Sequence, residues 1–233
     1  MIDHIKKRGR VDKMMKNMRK KKDVGIYGYT AKWYDKNSRK SRMTQMQEYA
    51  TEIQSLVQEG AKILEVAPGP GYLSIELAKI GFDVTGVELS PDFVNIEKNN
   101  AKEANVLVDF KEGNASNLPC EDNTFDFIVC SAAFKNFMDP LKALKEMYRV
   151  LKPGGTSLII DMNFNATVQD IEGEIRKTGM TGFDKYFVKF AFKTFLKKGA
   201  YTKENFEMFL NETEFKNYHI KQEDISLYVY LSK

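Results

Sequence analysis

The sequence predicts an α/β fold: a seven-stranded, mostly parallel sheet with helices on both faces and an antiparallel hairpin at its C-terminal end. Three observations carry that expectation. Apolar runs of strand length alternate with segments of helical period between residues 62 and 162. A glycine-rich turn, Pro68-Gly69-Pro70-Gly71, joins the first of those strands to the first helix. Residues 217–232 hold two strand-like runs around a short acidic turn, and such a pair adds an antiparallel strand to a parallel sheet.

Taken in order, Met46, Tyr49, Ile53, Leu56 and Val57 recur at helical spacing and predict a helix over 44–58 that ends near Gly60. Strands follow at 62–67, 83–88, 107–111, 125–131 and 156–162, with helices at 71–80, 91–103 and 140–151 between them. Ser90-Pro91 and Asp139-Pro140 each supply a cap and a first-turn proline, while Gly81 and Pro153-Gly154-Gly155 are stop signals. A capped helix over 202–211 precedes the two last strands, 217–222 and 226–232. Between strand five and that helix lies an insertion, 163–201, which includes Phe183, Tyr186, Phe187, Phe190, Phe192 and Phe195. In an open α/β sheet the ligand crevice lies outside the carboxyl ends of the strands, so this insertion starts at the mouth of the site. It is either a helical lid over an acceptor pocket, or a packing helix or dimer surface.

The glycine turn identifies a ligand class. Glycines let a ligand approach the backbone, the following helix offers free N–H groups, and Glu88, at the end of the second strand, can accept hydrogen bonds from ribose hydroxyls. A dinucleotide fingerprint has a third glycine where this chain has Ser74, and it seats a pyrophosphate on the helix end. Glu65, inside the first strand, would repel a pyrophosphate but suits a ligand bearing an ammonium group.

Glu65-x-Ala67-x-Gly69-x-Gly71 therefore resembles the first motif of class I S-adenosylmethionine (SAM) dependent methyltransferases, and Glu88 resembles their ribose-binding acid. Three further segments extend the resemblance: Gly113-Asn114-Ala115-x-x-Leu118-Pro119, Asn123 to Ser131 along the fourth strand, and Arg149-Val150-Leu151-Lys152-Pro153-Gly154-Gly155. Together they cover about residues 60–162 and are similar to the small-molecule methyltransferases that include the ubiquinone and menaquinone biosynthesis enzymes. The resemblance implies a Rossmann-like fold with the terminal hairpin, SAM as methyl donor, and a binding set of Tyr34, Glu65, Ala67, Gly69, Gly71, Glu88, Leu89, Asn114, Ala115 and Ser131. Asn114 stands where the family usually has an acid; its amide can read adenine, and it equally suits a turn. The segment Ala31-x-x-Tyr34-Asp35 resembles one that folds over the cofactor in that group. Tyr34 would then shield the methionine part of SAM, with Tyr29 as a second candidate and Trp33 as a buried helix anchor.

The acceptor end departs from the family. Where His residues are frequent, this chain has Ser131-Ala132-Ala133-Phe134-Lys135-Asn136-Phe137. Lys135 and Asn136 are the substrate-facing candidates; Lys135 would steer an anionic acceptor or, desolvated, take a proton, and its alternative is a loop lysine in water. No catalytic base is assignable, and direct in-line transfer needs none, since orientation and desolvation supply roughly 7 to 11 kcal/mol.

Composition bounds the rest. The formal charge is +4, with ten Lys or Arg in residues 1–22 against Asp3 and Asp12. That run is either an arm for nucleic acid or an anionic surface, or a solvated helix packing Val11, Met14, Met15 and Met18 on the body. No apolar run reaches membrane length and no secretory signal is visible, so a cytoplasmic protein is expected. Cys120 and Cys130 match neither a zinc nor a redox spacing, no metal is expected, and Cys130 reads as a buried strand residue. Neither His4 nor His219 falls in a recognisable site; His219 belongs to the terminal hairpin. The reading is a single methyltransferase domain over 1–233: basic arm 1–25, helical cap 26–60, SAM-binding core 61–162, lid-like insertion 163–201, helix and hairpin 202–233. A small-molecule acceptor is expected. The alternatives are an RNA methyltransferase using the basic arm and a SAM-binding module without catalysis.

Overall fold

A computed structural model describes residues 25–177 and 199–233. The elements are α1 Gly28–Leu56, β1 Lys62–Val66, α2 Tyr72–Lys79, β2 Asp83–Glu88, α3 Pro91–Glu103, β3 Asp109–Glu112, β4 Phe125–Ser131, α4 Pro140–Val150, β5 Leu151–Met162, α5 Val168–Lys177, α6 Lys203–Leu210, β6 Asn217–Glu223 and β7 Ser226–Ser232. The seven strands form one sheet in the order β3-β2-β1-β4-β5-β7-β6. Strands β1 to β5 pair in parallel, and β7 joins β5 and β6 antiparallel. The expected α/β sheet with its terminal hairpin is therefore present, and its order reverses between β1 and β4, where a crevice opens.

Period-two alternation sends successive strand residues to opposite faces. Leu64, Val66, Ile128, Cys130, Ile159 and Val229 pack with α4 and α6 on one face. Ile63, Phe127, Val129 and Leu158 pack with Tyr49 and Ile53 of α1 and Leu73 and Leu77 of α2 on the other. Cys130 is fully buried in β4, as its position in an apolar run implied. His219 lies on β6, stacked on Tyr230 at 6.3 Å.

Two boundaries and the burial of one residue differ from the sequence reading. Helix α1 begins at Gly28 rather than at 44, because its first four turns are held by polar ties and carry little apolar periodicity. Strand β5 begins at Leu151 rather than 156: Lys152-Pro153-Gly154-Gly155 lies inside the strand, where the register with β4 shifts and Gly154 takes a φ of +80°. Trp33 is 55% exposed and anchors nothing. Residues 1–24 and 178–198, with the basic run and the aromatic residues from Phe183 to Phe195, lie outside the described residues. Among those described, no helix is long and apolar enough to cross a membrane, and no group of three His, Cys, Asp or Glu could hold a metal ion.

Candidate cofactor and acceptor site

A cavity of about 420 Å³ lies at the carboxyl ends of β1, β2 and β4, within the usual range for a small-molecule site. Its wall includes Tyr34, Glu65, Ala67, Gly69, Glu88, Leu89, Asn114, Ala115 and Ser131, together with Lys135 and Asn136. The chain reaches it through a strained turn. Ala67 leaves β1 at φ +58° with its N–H bonded to the Val87 carbonyl at 2.8 Å, and Gly69 follows at φ +62°. A Cβ on Gly69 would meet no protein atom, so this stretch of backbone is open to a ligand.

Gly71 has a different task. It does not line the cavity; it caps α2 at φ +78°, and a Cβ there would come within 3.0 Å of the Phe110 ring and 3.1 Å of the Glu97 side chain. Its glycine is required by packing beneath the turn. Tyr29, 82% exposed, also stands away from the cavity, since it faces outward from the first turn of α1.

Glu88 is 6% exposed. One carboxylate oxygen accepts the Gly69 N–H at 3.1 Å and the other accepts the Ser90 N–H at 2.9 Å. Burial raises its pKa, and the backbone N–H groups of Ser90, Gly69 and Leu89 oppose that rise. The carboxylate keeps acceptor capacity for a further donor, such as a ribose hydroxyl. Glu65 is more deeply set, and burial pushes its pKa up to about 7, against a 2.5 Å hydrogen bond donated by Ser74. The two residues that separate this turn from a dinucleotide fingerprint are thus bonded to each other.

The sequence reading missed Arg42, Met46 and Tyr72, all in the cavity wall. Arg42 donates to the Tyr34 hydroxyl at 2.9 Å, and its charge favours the ionised form of Glu65. Tyr34 and Arg42 are two helical turns apart, a signal legible only once the helix is known to start at Gly28. Tyr34 also meets Phe93 edge-on at 6.0 Å. Asn114 takes its turn reading, with its side-chain oxygen accepting the Ser116 N–H at 2.8 Å, and the residue also lines the cavity. Glu97, unnoticed in sequence, is fully buried behind Gly71, and neither of its oxygens has a hydrogen-bond partner among the described residues. Burial, then the charges of Glu88 and Glu65, push its pKa up to about 10, so it sits there as a neutral acid.

At the other end of the cavity, Ala132 turns the chain at φ +57°, with its N–H on the Ile160 carbonyl at 2.7 Å. Phe134 is buried and stacked on Phe206 at 5.2 Å, which anchors the following short 3-10 turn, Phe134–Asn136. Lys135, inside that turn, pairs with Asp161 at 3.1 Å, their side chains 14% and 2% exposed.

Residues 64–159 match a family described as a methyltransferase domain. Among curated proteins, demethylmenaquinone methyltransferase of Listeria welshimeri is 36% identical over 140 residues, 57% of this chain and 59% of that protein. The enzyme of the same name from Staphylococcus haemolyticus is 34% identical over 160 residues, 67% of this chain and 62% of its own. The chain thus spans about three-fifths of the length of these curated relatives. Among solved structures, a Methanococcus maripaludis protein assigned as a SAM-dependent methyltransferase superposes with a TM-score of 0.71 at 26% identity, covering 91% of this chain and 96% of its own. The sheet order, the matched domain and these relatives agree: residues 64–159 match a methyltransferase domain, and the chain is similar to class I SAM-dependent methyltransferases, the quinone-biosynthesis enzymes among them.

Proposed function

We propose that this protein binds SAM in the cavity and transfers its methyl group to a small-molecule acceptor. The observation that carries the proposal is the donor and acceptor set of one wall. Glu88, held by two backbone N–H groups, has capacity left for the ribose hydroxyls. Glu65 and Arg42 offer opposite charges within reach of each other's field, which suits the ammonium and the carboxylate of a methionine end. Leu89, Asn114 and Ala115 would take the adenine, Ala67 and Gly69 the approach of the backbone, and Tyr34 and Ser131 the remaining contacts. A dinucleotide would instead set its pyrophosphate against two carboxylates.

Bound SAM supplies a methyl group on a positively charged sulfur, already activated for displacement. The chain's own residues need only exclude water and hold the acceptor in line. The relatives' names favour a quinol-type acceptor over nucleic acid. The basic run of residues 1–22 supports the second reading, an RNA acceptor. Salt-dependent RNA binding that disappears when those residues are deleted would favour it.

Glu88→Ala is the direct test. Losing the ribose acceptor is expected to weaken SAM and S-adenosylhomocysteine binding by more than about tenfold, measured by titration calorimetry. An unchanged affinity would remove Glu88 from the site. Formation of S-adenosylhomocysteine with a panel of small acceptors separates an enzyme from a binding module.

A further inference from the structure

We infer that Lys135 selects the acceptor, and that the acceptor is an apolar, ring-bearing molecule which presents an ionised hydroxyl oxygen to the Lys135 ammonium. The inference rests on the reading of this cavity as a methyl-transfer site. Lys135 is not a solvated loop lysine. Its side chain is 14% exposed, it lines the cavity, and two of its three N–H groups are committed, one to Asp161 Oδ1 at 3.1 Å and one to the Ala132 carbonyl at 3.0 Å. The third has no protein partner among the described residues, which leaves one directed, charged donor.

The pose is imposed from behind. Asp161 is buried at the end of β5, and its carboxylate also accepts the N–H of Lys135 at 2.8 Å and of Met162 at 2.7 Å. Those two backbone bonds hold the carboxylate whether or not the ammonium is present. A buried ion pair contributes little net stability, because desolvation offsets the attraction, so the fold alone gives no reason for this one. The left-handed Ala132 and the stacked Phe134 fix the turn that carries it.

The surroundings select the ligand. Ala132, Ala133 and Phe137 make the neighbouring wall apolar, which suits the body of a flat ring, and Asn136 adds a neutral polar edge. Glu65 and Glu88 across the cavity would repel an anion placed near them, whereas at the acceptor end Lys135, although paired with Asp161, still offers one N–H of a cationic group to an anionic oxygen. An ionised hydroxyl there is also the electron-rich form of an acceptor.

Binding of 4-nitrophenol tests this, because its colour reports ionisation. In the full-length protein saturated with S-adenosylhomocysteine, 4-nitrophenolate is expected to bind at least about tenfold more tightly than the neutral isostere 4-nitroaniline. Bound 4-nitrophenol is expected to ionise at lower pH than the free compound. Lys135→Met and Lys135→Gln should abolish both effects, and Lys135→Arg should retain the preference, with S-adenosylhomocysteine affinity unchanged in all three. Equal affinity for the two probes in the unmodified protein, no affinity for nitrophenolate, or a preference that survives Lys135→Met overturns the inference. Tighter binding of 4-nitrobenzoate than of 4-nitrophenolate overturns the choice of a hydroxyl. Failure of the unmodified protein to bind S-adenosylhomocysteine would instead reject the methyl-transfer reading beneath it.

Discussion

Glu65 is the residue at which recognition and protonation meet. Its carboxyl is buried, bonded to Ser74, and raised to about 7 chiefly by burial. A cationic amine binds the carboxylate and not the acid, so SAM affinity is expected to fall as pH drops through about 7 and to level off above it. Ser74→Ala removes a hydrogen bond that favours the ionised form and should move the midpoint to higher pH. Calorimetry from about pH 6 to 8 reads both effects, and a flat affinity in the parent protein would exclude a cation contact at Glu65. At this scale the sequence was informative where a backbone constraint and a charge fall within one short window, as at Glu65, Gly69 and Ser74. It was uninformative for Arg42, whose link to Tyr34 depends on where α1 starts, and for Tyr72 and Glu97, whose neighbours lie far along the chain. Gly71 carries a further lesson. A glycine in a binding motif can be required by what lies beneath it, here Glu97 and Phe110, rather than by the ligand above.

Helix α1 is positioned over the cavity by polar ties. The Tyr72 hydroxyl sits 2.7 Å from Asp35 Oδ1 and 2.8 Å from the Asp35 carbonyl, Asn100 donates to Asp35 at 3.1 Å, and the Gly28 N–H donates to Asp92 at 2.8 Å. Tyr72→Phe is expected to cost about 1 to 2 kcal/mol by urea unfolding. Because Tyr34 and Arg42 ride on the same helix, it should also weaken SAM binding several-fold. An unchanged midpoint and affinity would show that apolar packing of Tyr49 and Ile53 holds the helix unaided. These ties explain why periodicity located α1 only from residue 44: the apolar stripe begins where the helix meets the sheet, and the preceding turns are held by side-chain hydrogen bonds that leave no period in the sequence. The helices α3 and α4 were legible to their starts because Ser90 and Asp139 cap them from within the local sequence.

Across the whole molecule, β7 is the element on which the sheet closes, since it lies between β5 and β6 and buries Leu227, Val229 and Leu231. Deleting residues 217–233 would strip the β5 edge and open the core above α4 and α6. The expected outcome is loss of a cooperative thermal transition by circular dichroism; a truncated protein that still melts cooperatively would show that the parallel strands suffice. The parallel sheet, the hairpin and the donor class could be read from the order of residues because each rests on local rules: alternation, capping, and glycines beside an acid. The acceptor end could not. Lys135, in the turn after β4, and Asp161, near the end of β5, lie 26 residues apart, and only their burial side by side at 3.1 Å turns an ordinary loop lysine into a fixed, partly desolvated charge. Desolvation is a property of the packed interior, and no spacing along the chain encodes it.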